Sequence, residues 1–134
     1  MDTNILIRAF VEDVPDQAAT AKRLLDHATL IAVPVPVLCE FAWVLARAYK
    51  VGSTDIAAAI AAITDIETVL TDVPAVEAGI DLLRAGGDFA DGAMALQGVS
   101  LGGTMFASFD RHAVDLWTRR GGQASEPADL LSGN

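Results

Sequence analysis

Cysteine is almost absent from this sequence, with the single residue Cys39 in a chain of 134. One cysteine excludes a disulfide framework and any zinc site built from several cysteines. The two histidines, His27 and His112, have no companion at a spacing typical of metal ligands, and we expect both to face solvent. Without disulfides to protect, the default expectation is a reducing, cytoplasmic setting.

Positive charge is also scarce, because 9 Lys and Arg residues stand against 18 Asp and Glu residues, a net charge of −9. This is the wrong sign for passive binding to a phosphate backbone, so a cation must mediate any contact with nucleic acid. The only lysines, Lys22 and Lys50, lie in the first half of the chain. That excludes a phosphoacceptor receiver domain, which needs a lysine after a late strand. No G-x-x-x-x-G-K-[ST] phosphate loop is present either.

Long hydrophobic runs are missing as well. The longest charge-free run, between Asp91 and Asp110, contains four glycines and predicts a helix, a turn and a strand rather than a membrane span. The N-terminus turns polar at Asp2 without a basic region before it, so it is not a signal peptide. Hydrophobic residues still make up 52% of the chain, enough for one closed core. We expect one domain over residues 1–134 and no membrane contact.

Strand-like and helix-like apolar patterns alternate along the chain. Asp16 is a plausible N-cap of the second predicted helix, Ser53 or Thr54 caps the fourth, and Gly86-Gly87 ends the fifth. The alternation predicts an α/β fold with a parallel sheet and helices on both faces. The predicted helices are 5–11, 16–26, 37–49, 56–63, 73–84, 88–99 and 111–119, and the predicted strands are 30–33, 67–70, 104–108 and 123–124.

Acidic residues follow the predicted strands or begin the next helices. They are Asp2, Glu40, Asp88, Asp91 and Asp110. Ligands of open parallel α/β sheets bind outside the carboxyl ends of the strands, so we expect these side chains to meet at one edge. Because like charges repel, such a cluster needs protons or a cation. Oxygen ligands without His or Cys indicate Mg²⁺ or Mn²⁺, which can bind a phosphodiester and activate water for in-line attack.

Four short motifs occur in order along the chain: Asp2-Thr3-Asn4-Ile5-Leu6, then residues 39–45 (CEFAWVL), 87–93 (GDFADGA) and 108–111 (SFDR). Together they resemble the PIN-domain ribonucleases, and in particular the VapC toxins of bacterial toxin–antitoxin pairs. The resemblance runs over nearly the whole chain, to residues 126–131 (EPADLL). It implies a three-layer α/β/α fold with a parallel central sheet of about four to five short strands.

The resemblance also implies an activity, a cofactor and partners. The activity is Mg²⁺- or Mn²⁺-dependent endoribonuclease cleavage of RNA. The implied partners are a VapB-type antitoxin, the RNA substrate and a second copy in a homodimer, with a larger toxin–antitoxin complex possible. The metal and catalytic residues would be Asp2, Glu40, Asp91 and Asp110. The residues that orient these carboxylates would be Asn4, Ser108 and Asp88, and Arg111 is a weaker candidate for an RNA contact.

The sequence departs from the family pattern in three places. Relatives carry several apolar residues before the first Asp, and here we expect the α-amino group of Met1 to lie close to Asp2. Ser108 replaces the usual Thr and keeps the hydroxyl. Gly92 replaces the usual Ala beside Asp91 and is expected to weaken the start of that helix slightly.

Each acidic residue also has an ordinary explanation. Asp88 and Asp110 are both placed to cap the helices that follow them, and Asp91 suits the first turn of a helix. Glu40 has apolar sequence neighbours, where a buried carboxylate needs a partner. Trp43 and Trp117 are more often packing residues than RNA-stacking platforms. A rival interpretation from another class is therefore a catalytically weak PIN-like interaction protein, acting through antitoxin binding and promoter autoregulation.

Overall fold

A computed structural model describes residues 1–132 of the chain. The chain forms two compact units, with the boundary between Val73 and Pro74. Within the described range there are eight helices and four two-residue strands. The helices are α1 (Thr3–Phe10), α2 (Pro15–His27), α3 (Val35–Arg47), α4 (Ser53–Asp65), α5 (Val73–Arg84), α6 (Phe89–Ser100), α7 (Arg111–Arg119) and α8 (Pro127–Ser132), and the strands are β1 (Ile31–Ala32), β2 (Val69–Leu70), β3 (Phe106–Ala107) and β4 (Ala124–Ser125).

The first unit is built around a parallel strand pair. Strand β1 pairs with β2 so that Ile31 lies opposite Val69 and Ala32 opposite Leu70. Ile31 and Val69 are buried while Ala32 and Leu70 are exposed, the two-residue period of a strand with one covered face. Helix α1 packs against α2 and α3, and α4 packs against α3 and β2. The fully buried side chains of this unit include Leu6, Leu38, Phe41, Ile56, Ile60 and Ile63.

The second unit repeats the arrangement with a second parallel pair, β3 and β4, in which Phe106 lies opposite Ala124. Helix α7 packs against β4 and α6. Trp117 is buried and meets the ring of Phe106 edge-on at a centroid distance of 6.5 Å, within the range of about 4.5–7 Å that aromatic pairs prefer. The core cluster consists of Ala78, Leu82, Ala95, Leu116 and Trp117.

Two predicted helix caps are wrong. Helix α2 begins at Pro15 after Val14, because proline lacks an N–H and its fixed φ suits the first helical position. Asp16 therefore lies inside the first turn. Helix α4 has Gly52 as its N-cap and no side-chain cap, so Ser53 is its first residue. Helix α8 was not predicted as an element.

The remaining elements follow the predicted order, and two helices, Val73–Arg84 and Arg111–Arg119, match residue for residue. The strands are parallel as expected but only two residues long, and they form one pair in each unit. The alternation of helices with short parallel strands confirms the α/β class. In residues 1–132 no helix combines the length and apolar character needed to cross a membrane.

Candidate metal centre

Three carboxylates of the second unit lie close enough to interact: Asp88, Asp91 and Asp110. Asp88 is the N-cap of α6, and its carboxylate accepts a hydrogen bond from the backbone N–H of Ala90 at 3.4 Å. The cap satisfies one of the first N–H groups of the helix, which have no partner inside it. The capping role considered for Asp88 is therefore confirmed. The second oxygen of the Asp88 carboxylate takes no part in this hydrogen bond.

Asp110 is held in the same way at the start of α7. Its Oδ1 accepts a hydrogen bond from the backbone N–H of Ala113 at 3.2 Å. Its own N–H donates to the hydroxyl of Ser108 at 3.0 Å. Ser108 directly follows β3, and its N–H donates to the carbonyl of Ser125 in β4 at 3.2 Å. This hydrogen bond reaches the backbone of Asp110 rather than its carboxylate, and the role of Ser108 in orienting a carboxylate stays a prediction.

Asp91 lies in the first turn of α6, one helical turn after Asp88, so the two side chains share a helix face. It is partly buried, and this burial raises its pKa above the usual 3.8, with further contributions from the negative charges of Asp88 and Asp110. Desolvation and like-charge repulsion both disfavour the ionised form. A cation bound here would offset that repulsion.

A close approach of two helices sets the position of Asp91. A Cβ added to Gly92 would clash with the carbonyl oxygen of Ala78 and would lie 2.9 Å from the Cα of Gly79, both residues of helix α5. Gly79 in turn leaves room for the ring of Phe89, whose side-chain carbons would be 2.6 Å from a Cβ there. Glycine at position 92, where the family pattern has alanine, is therefore required by the packing of α6 against α5. The expected weakening of the helix start describes only its local effect.

Asp2 and Glu40 belong to the first unit. Asp2 is the exposed N-cap residue of α1 and makes no side-chain cap hydrogen bond. The α-amino group of Met1 donates to the carbonyl of Ala32 at 2.8 Å. Glu40 is an exposed residue of α3, so it is not the buried structural carboxylate that its apolar sequence neighbours suggested. The assignment of both residues to the metal centre stays a prediction.

Two further predicted residues, Asn4 and Arg111, have surroundings of other kinds. Asn4 lies in the first turn of α1 and lines a groove beside α2, together with Arg8 and Gln17. Arg111 pairs with Glu126, its Nε lying 3.3 Å from the carboxylate, while its side chain stays 78% exposed. Such an exposed pair is weak and leaves the guanidinium accessible. The roles of Asn4 and Arg111 at the centre stay predictions.

His112 lies in the first turn of α7, and no sequence motif indicates a functional role for it. Its ring nitrogen Nε2 is 3.1 Å from the carbonyl oxygen of Gly86, in the turn that leads to Asp88. A carbonyl oxygen only accepts, so the imidazole is the donor. His112 is exposed as predicted, and this hydrogen bond holds its ring in place.

The donor chemistry of the second unit fits a hard divalent cation, because carboxylate oxygens are the ligands that Mg²⁺ and Mn²⁺ prefer. In the described part of the chain, residues 1–132, no three His, Cys, Asp or Glu side chains form a group that could hold a metal ion. Asp88 and Asp110 each direct one oxygen to a helix cap. Asp88, Asp91 and Asp110 therefore interact through their charges but do not form a closed set of metal ligands.

Comparison with family models matches the PIN domain over residues 1–116. The match covers well over half of the chain, so the chain belongs to the PIN-domain family. Its fold is accordingly the three-layer α/β/α fold of that family, which agrees with the short parallel strands and many helices described above. PIN domains are generally metal-dependent nucleases. A comparison with curated proteins found no match.

Proposed function

We propose that this chain is a metal-dependent endoribonuclease and the toxin component of a VapBC-type toxin–antitoxin pair. The observation that carries the proposal is the partly buried Asp91, whose pKa is raised by desolvation and by the negative charges of Asp88 and Asp110. Carboxylates with perturbed pKa values cluster at functional sites. Membership of the PIN-domain family supplies the nuclease class, and the toxin role follows from the motif resemblance.

Asp91 and Asp110 are the proposed metal ligands of the second unit. Asp2 and Glu40 are added on the family pattern alone. Ser108 would fix the loop that presents Asp110, Asp88 would fix the start of α6, and Asn4 is proposed to orient a carboxylate. When bound, Mg²⁺ or Mn²⁺ supplies Lewis acidity toward the phosphodiester and lowers the pKa of a water molecule.

The charge of the chain supports the need for a cation. With a net charge of −9, the protein repels RNA at long range, and the acidic residues at the centre add to that repulsion locally. Neutralising them would let the phosphate approach, and Arg111 is proposed to contact it because its side chain is 78% exposed. The proposed setting is the cytoplasm, in keeping with a single cysteine.

A second candidate is a catalytically weak interaction protein that acts by binding an antitoxin and repressing a promoter. The observation that favours it is exposed apolar surface: Leu101 is 90% exposed and Phe109 is 88% exposed. Exposed apolar side chains are available to bury surface against a partner protein on binding. An antitoxin and a second copy of this chain are the partners we propose for either function.

Calorimetric titration of Mn²⁺ into the protein without antitoxin separates the two candidates. The parent is compared with Asp91→Asn and with Asp115→Asn, which removes an exposed carboxylate of α7 as a charge-matched control. We expect saturable binding to the parent and to the control, and binding weakened more than about tenfold in Asp91→Asn. RNA cleavage in the presence of Mn²⁺ should be lost in the same variant.

Two results would change the proposal. Equal Mn²⁺ binding by the parent and Asp91→Asn would remove Asp91 from the centre. No binding by a folded parent would favour the interaction protein.

A further inference from the structure

We propose that His112 is a positioning residue of the metal centre, one that holds Asp110 in place relative to Asp91. The role at a metal centre rests on the proposed function, whereas the contacts of His112 described below do not depend on it. His112 follows Asp110 by two residues and lies in the first turn of α7. Its Nε2 donates to the carbonyl of Gly86 at 3.1 Å, across 26 residues of sequence.

The acceptor lies at a structurally constrained position. Gly86 has a φ of +96°, a conformation that side chains other than glycine rarely adopt. The Gly86-Gly87 turn ends α5 and leads directly to Asp88, the N-cap of α6, which carries Asp91 three residues later. A bond from α7 to this turn therefore connects the loop of Asp110 with the start of the helix of Asp91.

Packing supports the same connection. A Cβ on Gly87 would lie 2.5 Å from Cδ1 of Leu116, so α7 lies directly against the turn through an apolar contact. That contact is one helical turn away from His112. It fixes the distance of α7 from the turn, while the directional hydrogen bond of His112 fixes how the first turn of α7 is oriented.

The consequence concerns Asp110, whose carboxylate caps α7 and whose N–H is held by Ser108. These two bonds lie within the loop and first turn of α7, and the N–H of Ser108 also joins the loop to β4. His112 connects this assembly to the turn before α6 by a hydrogen bond, beside the apolar contact that Leu116 makes with the same turn. Without its bond, Asp110 and Asp91 would keep their local hydrogen bonds but lose their fixed separation, and a cation between them would be held less well.

A matched pair of substitutions tests this. His112→Gln keeps an N–H donor at similar reach, and His112→Met has similar length without a donor. We expect His112→Met to weaken Mn²⁺ binding about tenfold and to shift the ¹H–¹⁵N signals of Asp88, Asp91 and Asp110 in the metal-free protein. His112→Gln should restore both. Because His112 is exposed, both variants should remain folded, which circular dichroism checks.

A double-mutant cycle with Asp110→Asn tests whether His112 acts through Asp110. Replacing His112 by Met should have little further effect on Mn²⁺ affinity once Asp110 is Asn, because coupled residues are non-additive. Additive losses would overturn the proposed route. So would a His112→Met variant with parent-like spectra and affinity.

Failure of the proposed function would look different. If the parent binds no Mn²⁺, that function falls, while the metal-free spectra still decide whether His112 positions Asp110.

Discussion

Replacing Gly92 by alanine is expected to destabilise this protein, although alanine is the better helix former. A Cβ at this position would lie 2.9 Å from both the Cα of Gly79 and the carbonyl carbon of Ala78, distances that require a backbone to move. Overpacking of this kind costs about 1–3 kcal/mol. The gain in helix propensity returns at most about 1 kcal/mol. Because the atoms met belong to the backbone of α5, we take the upper part of the overpacking range, about 2–3 kcal/mol, so the net loss is about 1–2 kcal/mol.

Gly98→Ala is the matched control, since Gly98 lies on the same helix α6 and a Cβ there would meet no atom within 4 Å. The same chemical change should then stabilise the protein by about 0.5–1 kcal/mol. Thermal unfolding followed by circular dichroism, with urea unfolding as a second measure, separates the two effects. At about 4 °C per kcal/mol, Tm should fall by about 4–8 °C in Gly92→Ala and rise by about 2–4 °C in Gly98→Ala.

The result that would refute this reasoning is a Gly92→Ala variant as stable as Gly98→Ala or more so. Helix propensity alone would then govern both sites, and the close approach of α6 to α5 would not constrain the fold. If Gly92→Ala is destabilised as expected, its Mn²⁺ affinity should also fall, because Asp91 is the adjacent residue and shifts with the helix.

Two further predictions follow from the same unit. Because the pKa of Asp91 is raised in the folded state, its contribution to stability is fully present below pH 3.8 and is lost as pH rises through the folded pKa. The stability of Asp91→Asn relative to the parent, measured by urea unfolding, should therefore increase from pH 4 to pH 7. A stability difference that does not change with pH would contradict the burial of the charge. Arg111→Ala should change stability by less than about 0.5 kcal/mol, since its ion pair is exposed, while KM for RNA rises; an unchanged KM removes Arg111 from the RNA contact.

The local part of the fold could be read from the sequence. Helix α5 is bounded by the apolar spacing of Val73–Arg84 and by Gly86-Gly87, and Asp88 follows as the expected cap of α6. These features depend on residues within one or two turns of each other. The starts of α2 and α4 were missed for an equally local reason, because Pro15 and Gly52 took the positions assigned to Asp16, Ser53 or Thr54.

The candidate site divides in the same way. Sequence alone selected Asp88, Asp91 and Asp110 as acidic residues beginning helices, and it also suggested the capping roles of the first and last. The raised pKa of Asp91 depends on burial and on the charge of Asp110, which is distant in sequence. The periodicity of apolar residues carries no information on the burial of Asp91 or on its proximity to Asp110.

What the sequence determined by itself is the order of helices and strands, the α/β class and the acidic residues available to a metal, because these follow from side-chain pattern, turn chemistry and charge. The tertiary structure alone decided that Gly92 is needed against Ala78, and that His112 donates to Gly86. Both depend on which segments of the chain approach each other and at what distance. A pattern of residue types along the chain does not specify that distance.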